Sequence, residues 1–189
     1  PAIAEKGLMV LDITAHGKAG HAARDEGDNA IYHALDDMQW FRTKEWERVS
    51  PLLGKVKTTV TIVNSGTQHN VIPDQCTFTV DVRSNELYSN QELFQLICQE
   101  VKSEVKARSF RLNSSSISTS HPIVQALTAM GKKPFGSPTL SDQALMPFPS
   151  LKMGPGESSR SHTADEYILR SEIADAINTY TSLLQNLVL

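Results

Sequence analysis

The residues best suited to chemistry lie between Met153 and Glu166, in the run Met-Gly-Pro-Gly-Glu-Ser-Ser-Arg-Ser-His-Thr-Ala-Asp-Glu. Glycines such as Gly154 and Gly156 let backbone N–H groups approach a ligand closely. The loop then delivers His162 just ahead of Asp165 and Glu166. An imidazole so placed can ligate a metal, with a nearby carboxylate orienting its second nitrogen. The ordinary alternative is a surface turn feeding the last helix.

A second candidate is His21, in the glycine-containing stretch His16-Gly17-Lys18-Ala19-Gly20-His21. It can donate a hydrogen bond to a substrate oxygen and so stabilise an oxyanion. His16, at a strand end, is its rival. Arg83 offers a permanent, forked charge that suits a carboxylate, and the Asn70 amide can donate to the same anion or to a carbonyl. Against these stand a capped turn and a solvated strand end. Ser141 and Asp142 read as a helix cap. No serine lies in a nucleophile-elbow pattern, and neither Cys76 nor Cys98 lies in a nucleophile loop, so a covalent Ser or Cys hydrolase is disfavoured.

The elements that must position these residues follow from periodicity. Gly7–Thr14 reads as a strand. Ala30–Glu47 carries Ile31, Ala34, Leu35, Met38 and Phe41 at helical spacing, with Asp28 or Asn29 as its cap. Val56–Val63 is a second strand, and Cys76–Arg83 alternates apolar with polar residues as a half-buried third. Asn90–Lys106 is a second helix, and Ser109–Ser118 a polar edge strand. The order β-α-β-β-α-β is the ferredoxin-like split motif, with both helices on one sheet face and the other face free. Beyond His121-Pro122 come a short helix at Ile123–Met130, a turn-rich Pro134–Pro138 and a helical turn at Ser141–Met146. A strand at Pro149–Met153 and a final helix at Glu172–Leu187, capped by Ser171, complete the chain. Ile173, Ala176, Ile177, Tyr180, Leu183 and Leu184 form that helix's expected buried side.

Composition limits the alternatives. Across 189 residues, 18 Lys+Arg stand against 21 Asp+Glu, a net charge of -3 that gives no electrostatic footprint for nucleic acid. No apolar run is long enough to span a bilayer. The two cysteines lack zinc-finger spacing and read as reduced packing residues of a cytoplasmic protein.

Taken together, several segments resemble the M20 family of metal-dependent amidohydrolases and peptidases. They are Gly17–Arg24, Gly27–Ile31, Gly66–Pro73, Asp81-Val82-Arg83, Ser141-Asp142 and Gly154 through Glu166. The glycine loop looks most like the acetylornithine deacetylase branch, with its N-succinylornithine relatives. The resemblance implies an α+β architecture. Residues 1–7 would be the end of a catalytic-domain segment and a linker, 8–119 would form a ferredoxin-like lid that dimerises, and 120–189 would be the C-terminal part of an α/β zinc-peptidase catalytic domain.

By the same resemblance His162 matches the last zinc ligand. His21 matches the lid histidine that reaches the partner subunit's site. Asn70 and Arg83 match substrate-binding lid residues, and Gly154 and Gly156 a loop whose amides contact substrate. The implied enzyme uses two zinc ions to remove an N-acyl group from an amino acid in arginine biosynthesis, as a homodimer without nucleic-acid or membrane partners. The family's remaining metal ligands and its general base have no match in this sequence. The expectation is therefore a chain that alone binds little or no zinc and hydrolyses nothing. The competing expectation is a non-catalytic dimerisation or ligand-binding module. A ferredoxin-like nucleic-acid binder ranks low, because paired aromatics on the central strands are missing.

Overall fold

A computed structural model describes residues 1–187. In chain order the elements are β1 (Ala2–Glu5), β2 (Met9–His16), β3 (Gly20–His21), α1 (Ala30–Thr43), β4 (Lys57–Ser65), β5 (Val71–Ile72) and β6 (Gln75–Arg83). Then follow α2 (Asn90–Glu100), β7 (Glu104–Ala107), β8 (Ser115–Ser116), α3 (Pro122–Ala129), β9 (Phe135–Ser137) and α4 (Arg170–Asn186). Short 3₁₀ turns occupy Asp142–Leu145 and Ser158–Arg160. The architecture is α+β.

The alternation read in Cys76–Arg83 is what builds the larger sheet, ordered β4-β6-β2-β7 with antiparallel neighbours. Cys76, Phe78, Val80 and Val82 of β6 and Met9, Leu11, Ile13 and Ala15 of β2 all point to one buried face. Ala30, Ala34 and Phe41 of α1 and Leu93 and Ile97 of α2 close that face into one core. Asn29 caps α1 through its side chain, which accepts from Ile31 N–H at 3.0 Å.

Several boundaries differ from the expectation, each for a physical reason. The first helix stops at Thr43, where Lys44 turns extended. The second stops at Glu100, not Lys106. Asp37 of α1, only 4% exposed, accepts from Lys102 N–H, Ser103 N–H and Ser103 Oγ at 3.1, 2.9 and 2.5 Å. That carboxylate captures the turn and releases Val105 into β7. The fourth strand is therefore Glu104–Ala107 rather than Ser109–Ser118. In β4 a register shift between Val60 and Ile62 breaks the alternation, and Ile62 and Val63 end 51% and 52% exposed.

A second, three-stranded sheet is ordered β8-β1-β9. Its central strand is β1, so Ala2–Glu5 is a fully buried strand rather than a link, and Phe135–Ser137 is a strand rather than a turn. The expected strand at Pro149–Met153 reduces to one bridge, Ala2 with Lys152. The core here is small: Ile3, Ile117 and Val124, with Ile123 and Leu151 packed alongside. Helix α4 begins at Arg170, and Ser171 is not its cap. The Glu172 carboxylate accepts from Leu169 N–H at 2.9 Å instead. Of the stripe expected to be buried on α4, Leu183 is buried, but Ile177 and Leu184 are 59% and 70% exposed.

Candidate functional site

The structure gathers the candidate residues at three places. The first is a loop tip beyond β2. Strands β3 and β5 pair Gly20 with Ile72 and His21 with Val71. Ala22 N–H donates to the Asn70 carbonyl at 2.9 Å. His21 and Asn70 thus share one exposed tip. His21 Nδ1 accepts from Ala23 N–H at 3.1 Å, which leaves Nε2 as the nitrogen able to donate outward. The Asn70 amide has no hydrogen-bond partner among the described residues.

Close backbone packing holds this tip. Lys18 and Asp28 exchange both backbone hydrogen bonds, at 2.8 and 2.9 Å. A Cβ on Gly17 would lie 2.2 Å from the Asp28 carbonyl oxygen, so only glycine permits this approach. Asp28 Oδ1 then pairs with His33 Nε2 of α1 at 2.7 Å, tying the loop to the helix. The sequence reading missed this Asp28–His33 clasp, having weighed Asp28 only as an alternative to Asn29 for the helix cap. His16 is engaged elsewhere, with Glu104 at 3.3 Å.

The second place is the opposite end of the same sheet. Gln75 pairs with His16, whereas Arg83 pairs with Lys57 near the start of β2. At roughly 3.3 Å per residue, β6 separates its two ends by about 26 Å. One chain therefore does not bring Arg83 to His21 and Asn70. Arg83 donates from Nε and Nη2 to Asp81 at 2.7 and 3.0 Å, which fixes its guanidinium. Lys6 lies in the same positive field. Burial first, then Lys57 and Arg83, push its ammonium below the ordinary lysine range.

The third place is the glycine loop. It borders an open cleft of about 1080 Å³ flanked by Met153, Arg160, Glu172 and Tyr180. Gly156 has φ 83°, which requires glycine. The Gly154 and Gly156 amides donate to nothing among the described residues. Among the described residues His162 is the one non-glycine residue with positive φ, at 61°. Its backbone N–H donates to Glu166 Oε2 at 2.9 Å, so this carboxylate holds the main chain and not the ring. Among the described residues no three His, Cys, Asp or Glu side chains converge to hold a metal ion. A metal site needs three or four ligands, and His162 does not make one alone. Ser141 caps the 3₁₀ turn and also donates to the buried Glu5 carboxylate. Burial raises the thiol pKa of both Cys76 and Cys98, the opposite of what a thiolate nucleophile needs.

The four-stranded sheet and its two helices form a split β-α-β-β-α-β unit. Residues 3–109, more than half of the chain, match the M20 family model of a peptidase dimerisation domain, and the chain belongs to this family. It is 22% identical over 197 residues to a LysW-lysine/LysW-ornithine hydrolase of Sulfurisphaera tokodaii, covering 97% of this chain and 54% of that protein. A protein of Aeropyrum pernix, whose assignment to the same activity is provisional, is 27% identical over 200 residues, covering 97% and 53%. The chain thus spans about half the length of the curated relatives it matches. Among solved structures, aminopeptidase PepT from Bacillus cereus aligns with a TM-score of 0.70 at 17% identity, covering 97% of this chain and 52% of that one. The Bacillus subtilis YXEP protein, described as a dinuclear metal binding M20 peptidase, aligns with a TM-score of 0.66 at 18% identity, covering 96% and 50%. No helix among the described residues is long and apolar enough to cross a membrane.

Proposed function

We propose that this chain is the lid and C-terminal part of a cytoplasmic, zinc-dependent amidohydrolase that frees an amino acid from an N-linked acyl group. Residues 8–119 are the lid, and 1–7 with 120–189 belong to the catalytic part. The observation that carries the reading is the exposed tip that holds both His21 and Asn70, with His21 Nε2 and the Asn70 amide left without a partner among the described residues. Two hydrogen-bond donors on one rigid tip suit a carbonyl oxygen that gains charge as it is attacked. Arg83 and the free Gly154 and Gly156 amides serve the substrate carboxylate. His162 contributes one metal ligand, with no further His, Cys, Asp or Glu cluster around it among the described residues. The chain's own share of the work is binding and positioning.

The product is ornithine or a close homologue. The resemblance of the glycine loop supports N-acetyl- or N-succinylornithine as substrate. The names of the curated relatives favour a second reading, in which lysine or ornithine is released from a carrier such as LysW. Dimerisation uses the edge of β4. That strand lies at the sheet's border with Ile62 and Val63 exposed, and a second copy can extend the sheet there.

The test is an assay of a polypeptide of the relatives' length with acetyl-, succinyl- and carrier-linked ornithine. His21→Ala is expected to lower kcat by about 10²–10³ on the true substrate. A loss below tenfold rejects the role given to His21, and no hydrolysis of any of the three favours a non-catalytic module. The 189-residue chain itself is expected to take up no stoichiometric zinc in a titration.

A further inference from the structure

The most deeply buried carboxylate on the small sheet has no part in the proposed chemistry. Glu5 is 1% exposed, at the end of the central strand β1. Burying a lone carboxylate is costly, so its partners matter. It receives two: Lys152 Nζ and Ser141 Oγ. Lys152 Nζ also reaches Thr139 Oγ1 at 3.4 Å, and Thr139 Oγ1 lies 2.7 Å from Ser137 Oγ of β9. One carboxylate thereby ties β1 to the segments at Ser141 and Lys152, both distant in sequence.

The backbone agrees with the side chains. Ala2 N–H donates to the Lys152 carbonyl at 2.7 Å, and Lys152 N–H returns a bond to the Ala2 carbonyl at 2.9 Å. The next residue, Met153, is held from the other side, where Tyr180 Oη donates to its carbonyl at 3.1 Å. Past Met153 the chain enters the glycine loop, whose two glycine amides are unbonded. Lys152 is thus the last residue before the loop tied to β1 by both main chain and side chain.

We infer that the Glu5–Lys152 pair is a positioning latch that sets the register of the loop from Met153 to His162. A buried ion pair is weak as a source of stability against an apolar replacement, but it accepts only one arrangement of its members. Lys152 slipped by one residue would leave the Glu5 charge unpaired in the sheet. Ser141 is the third member, which gives the Ser141–Asp142 segment a structural duty. The latch stands on this geometry alone; its value for placing His162 rests on the function proposed above.

The experiment compares Lys152→Met, Lys152→Arg and Glu5→Gln in the 189-residue chain by amide hydrogen exchange and amide chemical shifts. Lys152 is the half-exposed member, so Lys152→Met keeps the test open if Glu5→Gln fails to fold. The expected result is exchange faster by about tenfold or more at Ala2 and at position 152, with shifts at Gly154, Gly156 and His162. The β2–β6 ladder should be unmoved, and Lys152→Arg should restore protection. Unchanged exchange at Ala2 and position 152, or an equal loss across β2 and β6, overturns the latch. Activity of His162→Ala in the longer polypeptide decides the catalytic reading separately.

Discussion

His162 stands in a backbone conformation that costs a non-glycine residue about 1–2 kcal/mol, held by the Glu166 carboxylate. His162→Gly should therefore raise stability by about 1 kcal/mol in urea melts, while His162→Ala should not, and both should lose the proposed ligand. Asp12 poses the opposite case, a charge that helps the fold. Arg108 grips both its oxygens at 2.8 Å, and this fork, more than the added Thr79 hydroxyl, holds its carboxyl below the usual range. A depressed carboxylate stabilises the fold above its unfolded pKa, and that contribution fades as pH falls through the folded value. Asp12→Asn should cost about 0.5 kcal/mol at neutral pH, a small figure because half of the side chain meets screening solvent. The difference from wild type should fade as pH falls below the ordinary aspartate range, and shrink in high salt.

At the scale of elements, the connection from α1 to β4 meets the small sheet where the Leu52 carbonyl lies against β9. A Cβ on Gly136 would sit 2.2 Å from that oxygen, and backbone cannot step aside cheaply. Gly136→Ala should destabilise by about 1–3 kcal/mol in thermal or urea melts. Gly54, with φ 69° and open space around it, should cost about 1 kcal/mol on the same change. These contacts also mark what the sequence could and could not reveal. The alternation of Cys76–Arg83 and the cap at Asp28 or Asn29 are local signals, and β6 and the start of α1 stand where the pattern puts them. The end of α2 depends on Asp37, a residue sixty-odd positions away that reads as an unremarkable helix acid. The β4 bulge leaves no mark in a run of Val, Thr and Ile. For the site, no local signal put His21 and Asn70 on one tip; the β3–β5 pairing does so. Arg83 stands a strand's length away, because alternation reports which face a residue takes and says nothing of which end.

On the scale of the whole molecule, that separation becomes an argument about two copies. A small amino-acid substrate cannot touch groups about 26 Å apart. If Arg83 serves the site of its own chain while His21 and Asn70 reach the partner's, each site draws on both copies. Subunit mixing tests this division in a polypeptide of the relatives' length. His21→Ala alone and Arg83→Ala alone should each be nearly inactive. When the two are unfolded together and reassembled, half of the dimers are mixed. In each mixed dimer one site has both an intact Arg83 and an intact partner histidine, and the other has neither. Activity should return to about one quarter of wild type. If both residues act on the same side of the interface, every site in every dimer lacks one of them, and mixing recovers nothing. An aspartate at Val63, on the exposed edge of β4, should abolish the recovery by separating the copies. Sedimentation of that variant as a monomer would tie the loss to the interface and not to the fold.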